Sequence, residues 1–340
     1  MKIAYIVSSL ANKGPIIVIR DIIRHLPQGF DITVFYFDDI NEVTFPEHVK
    51  TKKITFFYSS NQFDDFDVIH SHLLRPDIFN AFLVKAKCKK ISTLHSNIVY
   101  DLKLSHGRFI GGGAAWLWQL ALKKLDEVIM LTNYQRSFFP AIKNNKVIYN
   151  GRPELKKVEH DYIFEKLDAS KKIIGACAYI VKRKGFYQVL EFLASDYGSD
   201  FIFVLVGDGP ELKRLNILAD ELGVKERFIT PGKTFDIASF VCGFDIFIMS
   251  SSSEGMPLSI LEAASLKSLV VSTSLPVIKE VFDGSEISYY EYGDLNSFTN
   301  AIKIGLQHKF EFKNNIYDKY KSCFTDEIMS NKYCELYSND

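Results

Sequence analysis

Short runs of β-branched and aromatic residues alternate with amphipathic stretches along the chain, and this alternation constrains the fold more than any other feature of the sequence. Runs such as KIAYIVSS, DVIHSH and DFIFVLVGDG predict buried strands, while residues 17–26, 77–87 and 184–194 have helical spacing. Strands that alternate with helices indicate parallel sheets covered by helices on both faces. We therefore predict an α/β fold built from doubly wound sheets.

The pattern of strands restarts near Lys171, after a polar, lysine-rich stretch at residues 151–170. A chain of 340 residues is also longer than one hydrophobic core usually supports. We predict a Rossmann-like domain at residues 1–155, a second at 156–319, and a C-terminal helix at about 320–340 that packs back on the first. Two such domains would face each other across a cleft, where ligands bind because strand C-terminal ends and helix N-termini face it.

Composition and charge exclude several classes of function. Lysine plus arginine and aspartate plus glutamate both number 41, so nothing in the overall charge favours nucleic acid. The five cysteines are far apart and show no CxxC spacing, which favours reduced thiols over a disulfide framework or a zinc site. We find no secretory signal and no apolar run long enough for a bilayer, so we expect a cytoplasmic protein, either free or at the inner face of the cell membrane.

Residues 250–262, SSSSEGMPLSILE, join an apolar strand to a short apolar helix. Gly255 permits tight backbone geometry, and Pro257 suits the first position of a helix that we predict to run to about Leu266. Backbone N–H groups without partners at a helix start attract anions. Here those groups would belong to Gly255, Met256, Leu258 and Ser259.

Two glutamates bracket this helix start. Glu254 and Glu262 are eight residues apart, which is about 12 Å at helical rise. Carboxylates accept paired hydrogen bonds from vicinal hydroxyls, so two of them at this separation suit two hydroxyl-bearing rings with a diphosphate between them, which is the layout of a nucleotide sugar. The alternative is that Glu254 caps the helix and Glu262 is a solvated surface residue.

The segment SSSSEGMPLSILEAASLKSLVVSTSLPVIKEVF closely resembles the Glu-x7-Glu segment of retaining GT-B glycosyltransferases of the family 4 type, the glycosyl transferases group 1. The resemblance covers nearly the whole chain. DVIHSHLLRPDIFNAF, ISTLHS, VIYNGRP, KRKGFYQVLEFLA and LVGDGPELKRLNILADELGVKERFITPG are similar to further blocks of that family, in its order. It implies the GT-B architecture, a nucleoside diphosphate sugar bound to the second domain, and transfer without a metal or other cofactor.

Lys184 and Gly185 follow a strand and precede a helical pattern, and the resemblance implies that Lys184 neutralises the donor diphosphate. The family usually has an arginine five residues earlier, and this chain has Tyr179 there. Lys182 and Arg183 are the candidates to supply the missing charge. The alternative is that the three basic residues form a solvated turn.

The resemblance also implies roles for the other carboxylates and for one histidine. Glu254 would hold hydroxyls of the donor sugar, Glu262 would hold the ribose, and His95 would lie beside the donor sugar, so Glu254, Lys184 and His95 form the predicted catalytic set. His70 and His72 end another strand and point to one face of the sheet. A metal pair is conceivable there, but satisfied histidines are favoured because no third ligand is evident.

Three glycines complete the predicted donor site. Gly207 lies in a GDG loop after an apolar strand, where a plain turn into a helix is an equal alternative. Gly232 lies in the TPGK segment at residues 230–233, whose backbone would meet the nucleobase by resemblance. Gly14, in SSLANKGP, would lie in a loop over the diphosphate, and the absence of GxGxxG there argues against a dinucleotide-dependent dehydrogenase.

Residues 108–124, RFIGGGAAWLWQLALKK, are apolar with basic ends. One interpretation is a membrane-facing edge that meets a lipid-linked acceptor, because tryptophan and lysine suit the interface. The other is a buried helix of the first domain.

The predicted reaction is transfer of a sugar, with retention of configuration, from a UDP-sugar to a hydroxyl of a glycan or polyprenyl-linked acceptor in the synthesis of a surface polysaccharide such as lipopolysaccharide or capsule. UDP is favoured only by its frequency in the family. The alternatives are another GT-B enzyme, such as an epimerase or a phosphorylase, and a protein that binds a sugar nucleotide without catalysis.

Overall fold

The computed structural model divides into two compact units, and it describes residues 1–56, 60–95 and 98–338. The first unit comprises Met1–Arg152 together with Asp326–Asp340, and the second comprises Pro153–Thr325. The chain therefore enters the second unit after Arg152 and returns to the first at Asp326. A backbone hydrogen bond from Asp326 N to Arg152 O (3.0 Å) ties the two segments of the first unit together at this point.

In the described part of the chain, the first unit contains a seven-stranded parallel sheet. Its strands are β1 (Lys2–Leu10), β2 (Asp31–Asn41), β3 (Lys50–Lys53), β4 (Val68–His72), β5 (Lys89–Leu94), β6 (Glu127–Met130) and β7 (Asn145–Val147). The spatial order is β3-β2-β1-β4-β5-β6-β7, so the order reverses between β1 and β4. Ile3 of β1 lies opposite Ile32 of β2 on one side and Val68 of β4 on the other.

Helices cover both faces of this sheet, which explains why the central strand β4 is buried along its whole length although it includes His70 and His72. The helices that follow β1, β4, β5 and β6 are α1 (Gly14–Arg24), α2 (Leu74–Phe82), α3 (Ile98–Leu122) and α4 (Asn133–Ser137), respectively. α2 contributes Phe79 to an aromatic cluster with Phe35 and Phe63. α3 contributes Trp118 to a second cluster with Phe139.

The second unit repeats the same plan with six parallel strands among its described residues. They are β8 (Lys172–Cys177), β9 (Phe201–Val206), β10 (Phe228–Gly232), β11 (Ile246–Met249), β12 (Val270–Thr273) and β13 (Ser288–Tyr290). The order β10-β9-β8-β11-β12-β13 reverses between β8 and β11, which is the strand order of the Rossmann fold. The helices are α5 (Tyr187–Leu193), α6 (Leu212–Glu221), α7 (Ile237–Cys242), α8 (Leu258–Ser265), α9 (Pro276–Lys279), α10 (Leu295–Gln307) and α11 (Lys309–Cys323).

The last helix, α12 (Asp326–Ser338), belongs to the first unit although the whole second unit separates it from the rest in sequence. It packs against α1, and it buries Tyr333 and Tyr337 against the sheet. Ser330 Oγ donates to Ile22 O of α1 (2.7 Å). The first unit is therefore complete only when α12 is in place.

The predicted class, α/β with doubly wound sheets, is confirmed, but several predicted helix bounds are wrong. The helix expected at residues 184–194 starts only at Tyr187, because Gly185 has a left-handed backbone (φ 65°) that ends the preceding 3-10 turn. The helix expected at 77–87 is α2, which ends at Phe82, and residues 84–87 beyond it have no regular secondary structure. Among the described residues, no helix combines the length and apolar character needed to cross a bilayer.

Candidate active site

The loops that follow β8 and β11 meet where the strand order of the second sheet reverses. Parallel sheets of this kind bind ligands at such a point, beyond the carboxyl ends of the strands. Ser250 Oγ donates to Lys184 O (2.7 Å), and Ser252 N donates to Arg183 O (2.8 Å). The serines after β11 therefore fix the backbone of the basic turn after β8.

Gly185 is the residue that lets these two loops touch. Its φ of 65° is a left-handed conformation that side chains disfavour, and a Cβ at this position would lie 2.2 Å from Ser250 O. Gln188 stabilises the contact by donating from Nε2 to both Gly185 O (3.2 Å) and Ser250 O (3.1 Å).

Glu254 lies between two cations supplied by the turn. Lys184 Nζ donates to Glu254 Oε1 (2.7 Å), and Arg183 Nη1 lies 3.0 Å from Oε2. Ser251 Oγ also donates to Oε1 (2.7 Å), and the Glu254 side chain is only 7% exposed. Two positive charges against one negative charge leave the cluster with an excess positive charge, which suits an anionic ligand.

The same neighbours keep Glu254 ionised. Burial alone would raise the pKa of Glu254, but the charges of Lys184 and Arg183 and the hydrogen bonds from Lys184 and Ser251 outweigh it and lower the pKa to about 2. Because the folded-state pKa lies below the unfolded value, ionised Glu254 contributes to the stability of the fold at neutral pH. This contribution is lost only as pH falls from about 4.5 towards 2. Glu254 is therefore an acceptor of hydrogen bonds, not a proton donor, at neutral pH.

The structure excludes the two alternatives set out above, in which Glu254 caps the helix and Glu262 is a solvated surface residue. Glu254 does not cap α8, because the N-cap residue is Pro257 and no side chain caps that helix start. Pro257 was expected at the first helical position, but its backbone is extended and the helix begins at Leu258. Glu262 is buried in α8 instead of solvated, and burial followed by the charge of Glu262 raises the pKa of the Cys177 thiol at the end of β8.

Backbone hydrogen bonds join the carboxyl ends of β8, β9 and β10. Gly207 N donates to Gly232 O (2.9 Å), and Ala178 N donates to Val206 O (3.0 Å). A Cβ on Gly207 would lie 1.9 Å from Ala178 O, so this position also requires glycine. Gly232 is the last residue of β10, and α6 begins at Leu212.

The second unit thus brings together most of the predicted donor residues at one edge of its sheet. Gly255, Met256 and Pro257 lead from Glu254 into α8, which begins at Leu258. Gly207 follows β9 and Gly232 ends β10. Tyr179, at the position of the family arginine, is 63% exposed. Lys182 is exposed as well, and the structure places Arg183 against Glu254.

His95 and Gly14 belong to the first unit. Gly14 is the first residue of α1, which no side chain caps. His95 follows β5, and its Nε2 lies 2.7 Å from His72 Nδ1, with the two rings stacked at 5.1 Å between centroids. The His72 and His70 rings are tilted by 32° with centroids 4.3 Å apart, so the expectation that both rings share one face of the sheet is confirmed.

Tyrosines of α12 hold the inner end of this histidine row. Tyr337 Oη lies 2.7 Å from His70 Nδ1 and 2.8 Å from Tyr5 Oη. On the other side of the His70 ring, Thr93 Oγ1 lies 2.9 Å from Nε2 and 3.0 Å from Tyr333 Oη. The histidines are therefore oriented by hydrogen bonds, and among the described residues no group of three or more potential ligands could hold a metal ion.

Comparison with known proteins identifies the architecture. Residues 160–320 match the family model of the glycosyl transferases group 1. The whole chain is 28% identical over 356 residues to the O-antigen biosynthesis glycosyltransferase WclY of Escherichia coli, covering 98% of that protein. It superposes on Alr3699/HepE of Anabaena, solved in complex with UDP-glucose, with a TM-score of 0.85 at 20% identity and 99% coverage of both chains.

The chain has a GT-B fold, and its residues 160–320 resemble the glycosyl transferases group 1 domain. A further relative matches only locally. The UDP-Gal:alpha-D-GlcNAc-diphosphoundecaprenol alpha-1,3-galactosyltransferase of Escherichia coli is 34% identical over 108 residues, which are 30% of this chain and 27% of that protein.

Sequence reasoning missed several contacts that the structure shows. It could not choose between Lys182 and Arg183, because only the folded loop shows that Arg183 contacts Glu254. Ser251 was part of a serine run without an assigned role, and it donates to Glu254. Tyr333 and Tyr337 carried no signal beyond helical spacing, although they hold His70.

The pH dependence of stability tests the histidine row. Burial lowers the pKa values of His70 and His95 to about 3, and burial followed by the charges of His70 and His95 lowers that of His72 well below 6.5. Unfolding lets these imidazoles take up protons, so we expect the free energy of unfolding to fall as pH is lowered from about 6.5 towards 4. Urea denaturation at stepped pH measures this slope.

Asp77 of α2 provides the control, because it acts in the opposite direction. Burial raises the pKa of Asp77 to about 7, so the folded state keeps a proton that the unfolded state releases above about pH 4. Replacing Asp77 by asparagine removes this opposing term and should steepen the loss of stability on acidification. A flat unfolding free energy between pH 6.5 and 4.5 in Asp77→Asn would contradict the burial of neutral imidazoles.

Proposed function

We propose that the protein is a retaining glycosyltransferase of the family 4 type that transfers a sugar from a nucleoside diphosphate donor to a hydroxyl acceptor. The observation that carries the proposal is the buried Glu254, held between Lys184 and Arg183 beside the uncapped start of α8. This cluster provides an excess of positive charge and a fixed hydrogen-bond acceptor within the two loops that follow β8 and β11. A diphosphate joined to a hydroxyl-rich ring needs both.

The excess positive charge suits the diphosphate. Lys184 and Arg183 together outweigh Glu254 by one charge, and the N-terminus of α8 adds the positive end of its dipole. Groups that are already in place stabilise the negative charge that develops on a leaving phosphate without reorganisation, and such groups make the largest contribution in transfer reactions. Because two side-chain cations can supply this charge, we propose transfer without a divalent metal.

Glu254 is the proposed partner of the donor sugar hydroxyls. Its low pKa keeps it a carboxylate, and a carboxylate with both oxygens fixed accepts hydrogen bonds in a defined direction. The departing phosphate takes the acceptor proton in the proposed reaction, so no protein group needs to act as base. His95 is proposed to orient the donor sugar, and its ring is itself held by His72.

Glu262 is the proposed ribose ligand, and its substitution separates binding from turnover. We expect Glu262→Ala to raise the dissociation constant of the donor roughly 10- to 100-fold, because a hydrogen bond to a charged group contributes about 1.5–3 kcal/mol. The rate at saturating donor should change little. Calorimetric titration of the donor and steady-state kinetics measure the two effects.

The matched control is Glu226→Ala, which removes an exposed carboxylate from the same unit. Glu262 is buried, so Glu262→Gln serves as a variant that preserves side-chain volume, and thermal unfolding monitors the fold of both. A normal donor affinity in folded Glu262→Ala protein would remove the ribose assignment.

The relatives guide the choice of donor and acceptor. HepE was solved with UDP-glucose, WclY is described as an O-antigen biosynthesis glycosyltransferase, and the galactosyltransferase uses a UDP-sugar and a diphosphoundecaprenol-linked acceptor. We propose a UDP-sugar donor and a glycan or lipid-linked oligosaccharide acceptor in surface polysaccharide synthesis, at the inner face of the cell membrane.

A donor screen followed by product analysis tests the whole proposal. UDP-, GDP- and ADP-sugars are compared by thermal shift, and the donor that binds is incubated with polyprenyl diphosphate-linked acceptors. We expect the largest shift with a UDP-sugar and an NMR spectrum that shows the same anomeric configuration in donor and product. Donor binding without transfer to any acceptor would favour a non-catalytic sugar-nucleotide-binding protein, and an altered donor sugar without acceptor would favour an epimerase.

A further inference from the structure

The outer face of α3 carries an exposed apolar and basic surface that the donor chemistry does not use. Two rows of residues, each spaced by seven, run along the helix beyond the kink at Gly107, where φ is 76°, and each row ends at a lysine in the turn that follows Leu122. Residues seven apart lie on nearly the same side of an α-helix. The rows are Phe109, Trp116 and Lys123, and beside them Ile110, Leu117 and Lys124, and all six are exposed.

The apolar members of these rows are unusually open to solvent for their type. Phe109 is 92% exposed, Ile110 73% and Trp116 64%, with Leu117 at 40%. The opposite side of the same helix is the core side, where Ala115 and other residues pack into the first unit. The helix is thus neither fully buried nor fully exposed, because one face packs into the first unit and the other faces solvent.

The C-terminal end of this surface is basic. Lys124 Nζ lies 4.6 Å from the centre of the Phe82 ring at the end of α2, which brings Phe82 into the surface. Lys85 and Lys87 follow Phe82 and are exposed. Residues 107–124 contain no aspartate or glutamate.

The acids that follow α3 are already engaged. Asp126 accepts from the backbone N–H of Lys90 (2.7 Å), and Glu127 pairs with Lys146 at 3.3 Å. The lysines at the end of α3 therefore keep their positive charge for a partner. An aromatic and aliphatic stripe that continues into lysines matches the interface of an anionic bilayer, where rings insert among acyl chains and ammonium groups meet phosphates.

We propose that the outer face of α3 docks the protein on an anionic phospholipid bilayer. The inference rests on the proposed function in one respect, since docking there serves an enzyme whose acceptor is lipid-linked. The helix lies along the membrane surface with Phe109, Ile110, Trp116 and Leu117 inserted. Lys123 and Lys124, with Lys85 and Lys87 nearby, contact the lipid phosphates.

The two tryptophans of the chain make the test specific. Trp118 is buried and donates from Nε1 to Asp77 Oδ2 (2.6 Å), so only Trp116 should respond to lipid. We expect vesicles of phosphatidylethanolamine and phosphatidylglycerol to shift the tryptophan emission of the full chain to shorter wavelength and to co-sediment it. Trp116→Phe should abolish the shift, and vesicles of phosphatidylcholine alone should bind more weakly.

Three variants divide the surface into its parts. Phe109→Ser combined with Trp116→Ser should remove co-sedimentation, and Lys123→Gln combined with Lys124→Gln should lower the partition coefficient by roughly tenfold or more, with the loss greatest at low salt. Phe310→Ser, which removes an exposed ring from α11, should bind vesicles like the unchanged protein.

Two results would overturn the proposal. One is that the unchanged protein neither sediments with anionic vesicles nor shifts its emission. The other is a doubled mass by light scattering that Phe109→Ser with Trp116→Ser reduces to a monomer, since this would assign the face to a second copy of the chain. Calorimetric donor binding, which none of these variants should alter, separates failure of docking from failure of the proposed function.

Discussion

Replacing Lys184 by alanine is expected to lower turnover by about a hundredfold to a thousandfold, the loss seen when one preorganised charge-stabilising group is removed. Lys184 Nζ lies 2.7 Å from Glu254, in the loop that the structure places beside the start of α8. Arg183 remains 3.0 Å from the same carboxylate, so the loop keeps one cation and the loss is partial. Single-turnover kinetics at saturating donor measures the effect.

Lys213→Ala is the matched control, because it removes an exposed lysine from α6 of the same unit. Thermal unfolding of both variants shows whether Lys184→Ala keeps the fold. A turnover number within threefold of the unchanged protein in folded Lys184→Ala would exclude this lysine from the reaction. Arg183→Ala should show a smaller loss in the same assay.

Replacing Asp21 by alanine is expected to lower the free energy of unfolding by about 3–5 kcal/mol, the loss measured when one partner of a buried ion pair is removed. Asp21 of α1 is fully buried, and it pairs with the buried Arg152, the last residue before the chain enters the second unit. Arg24 lies 3.7 Å from Asp21 and 3.0 Å from Asp326, where the chain returns. Through Asp21 and Arg24, α1 thus contacts both residues at which the chain leaves and re-enters the first unit, Arg152 and Asp326.

Asp38→Ala is the control for this stability measurement. Asp38 also pairs with an arginine, Arg75, at 2.9 Å, but both side chains are exposed. Exposed pairs contribute about 0–1 kcal/mol, so urea denaturation should show a clear difference between the two variants. Equal losses in both would show that burial of the Asp21 pair has no energetic consequence.

The alternation of strand and helix patterns was enough to predict the architecture, because periodicity records which faces are buried. The strand runs and the restart near Lys171 correspond to two parallel sheets, with β8 beginning at Lys172. Helix bounds were less predictable. The residues after Lys184 have good helical spacing, yet Gly185 takes a left-handed backbone because Ser250 O approaches it, and that contact joins parts of the chain 65 residues apart.

The composition of the candidate site could be predicted, but its internal pairing could not. Glu254, Lys184 and the start of α8 were recognisable from local sequence and resemblance. The ion pair between Lys184 and Glu254 was not, since it depends on two loops that meet only because β8 and β11 are neighbours in the sheet. The burial of Glu262 could not be predicted either, because α8 is short and apolar on several sides, so its residue pattern does not indicate a single buried face.

The return of α12 to the first unit has a consequence for how the protein is made. During synthesis, residues 1–152 leave the ribosome before the whole second unit, and Tyr337 emerges only after it. At usual elongation rates of about 5–20 residues per second, His70 and Tyr5 wait roughly 13 to 66 seconds for their hydroxyl partner. The second unit can complete its core first, so the half of the molecule that begins synthesis is the half that finishes folding last.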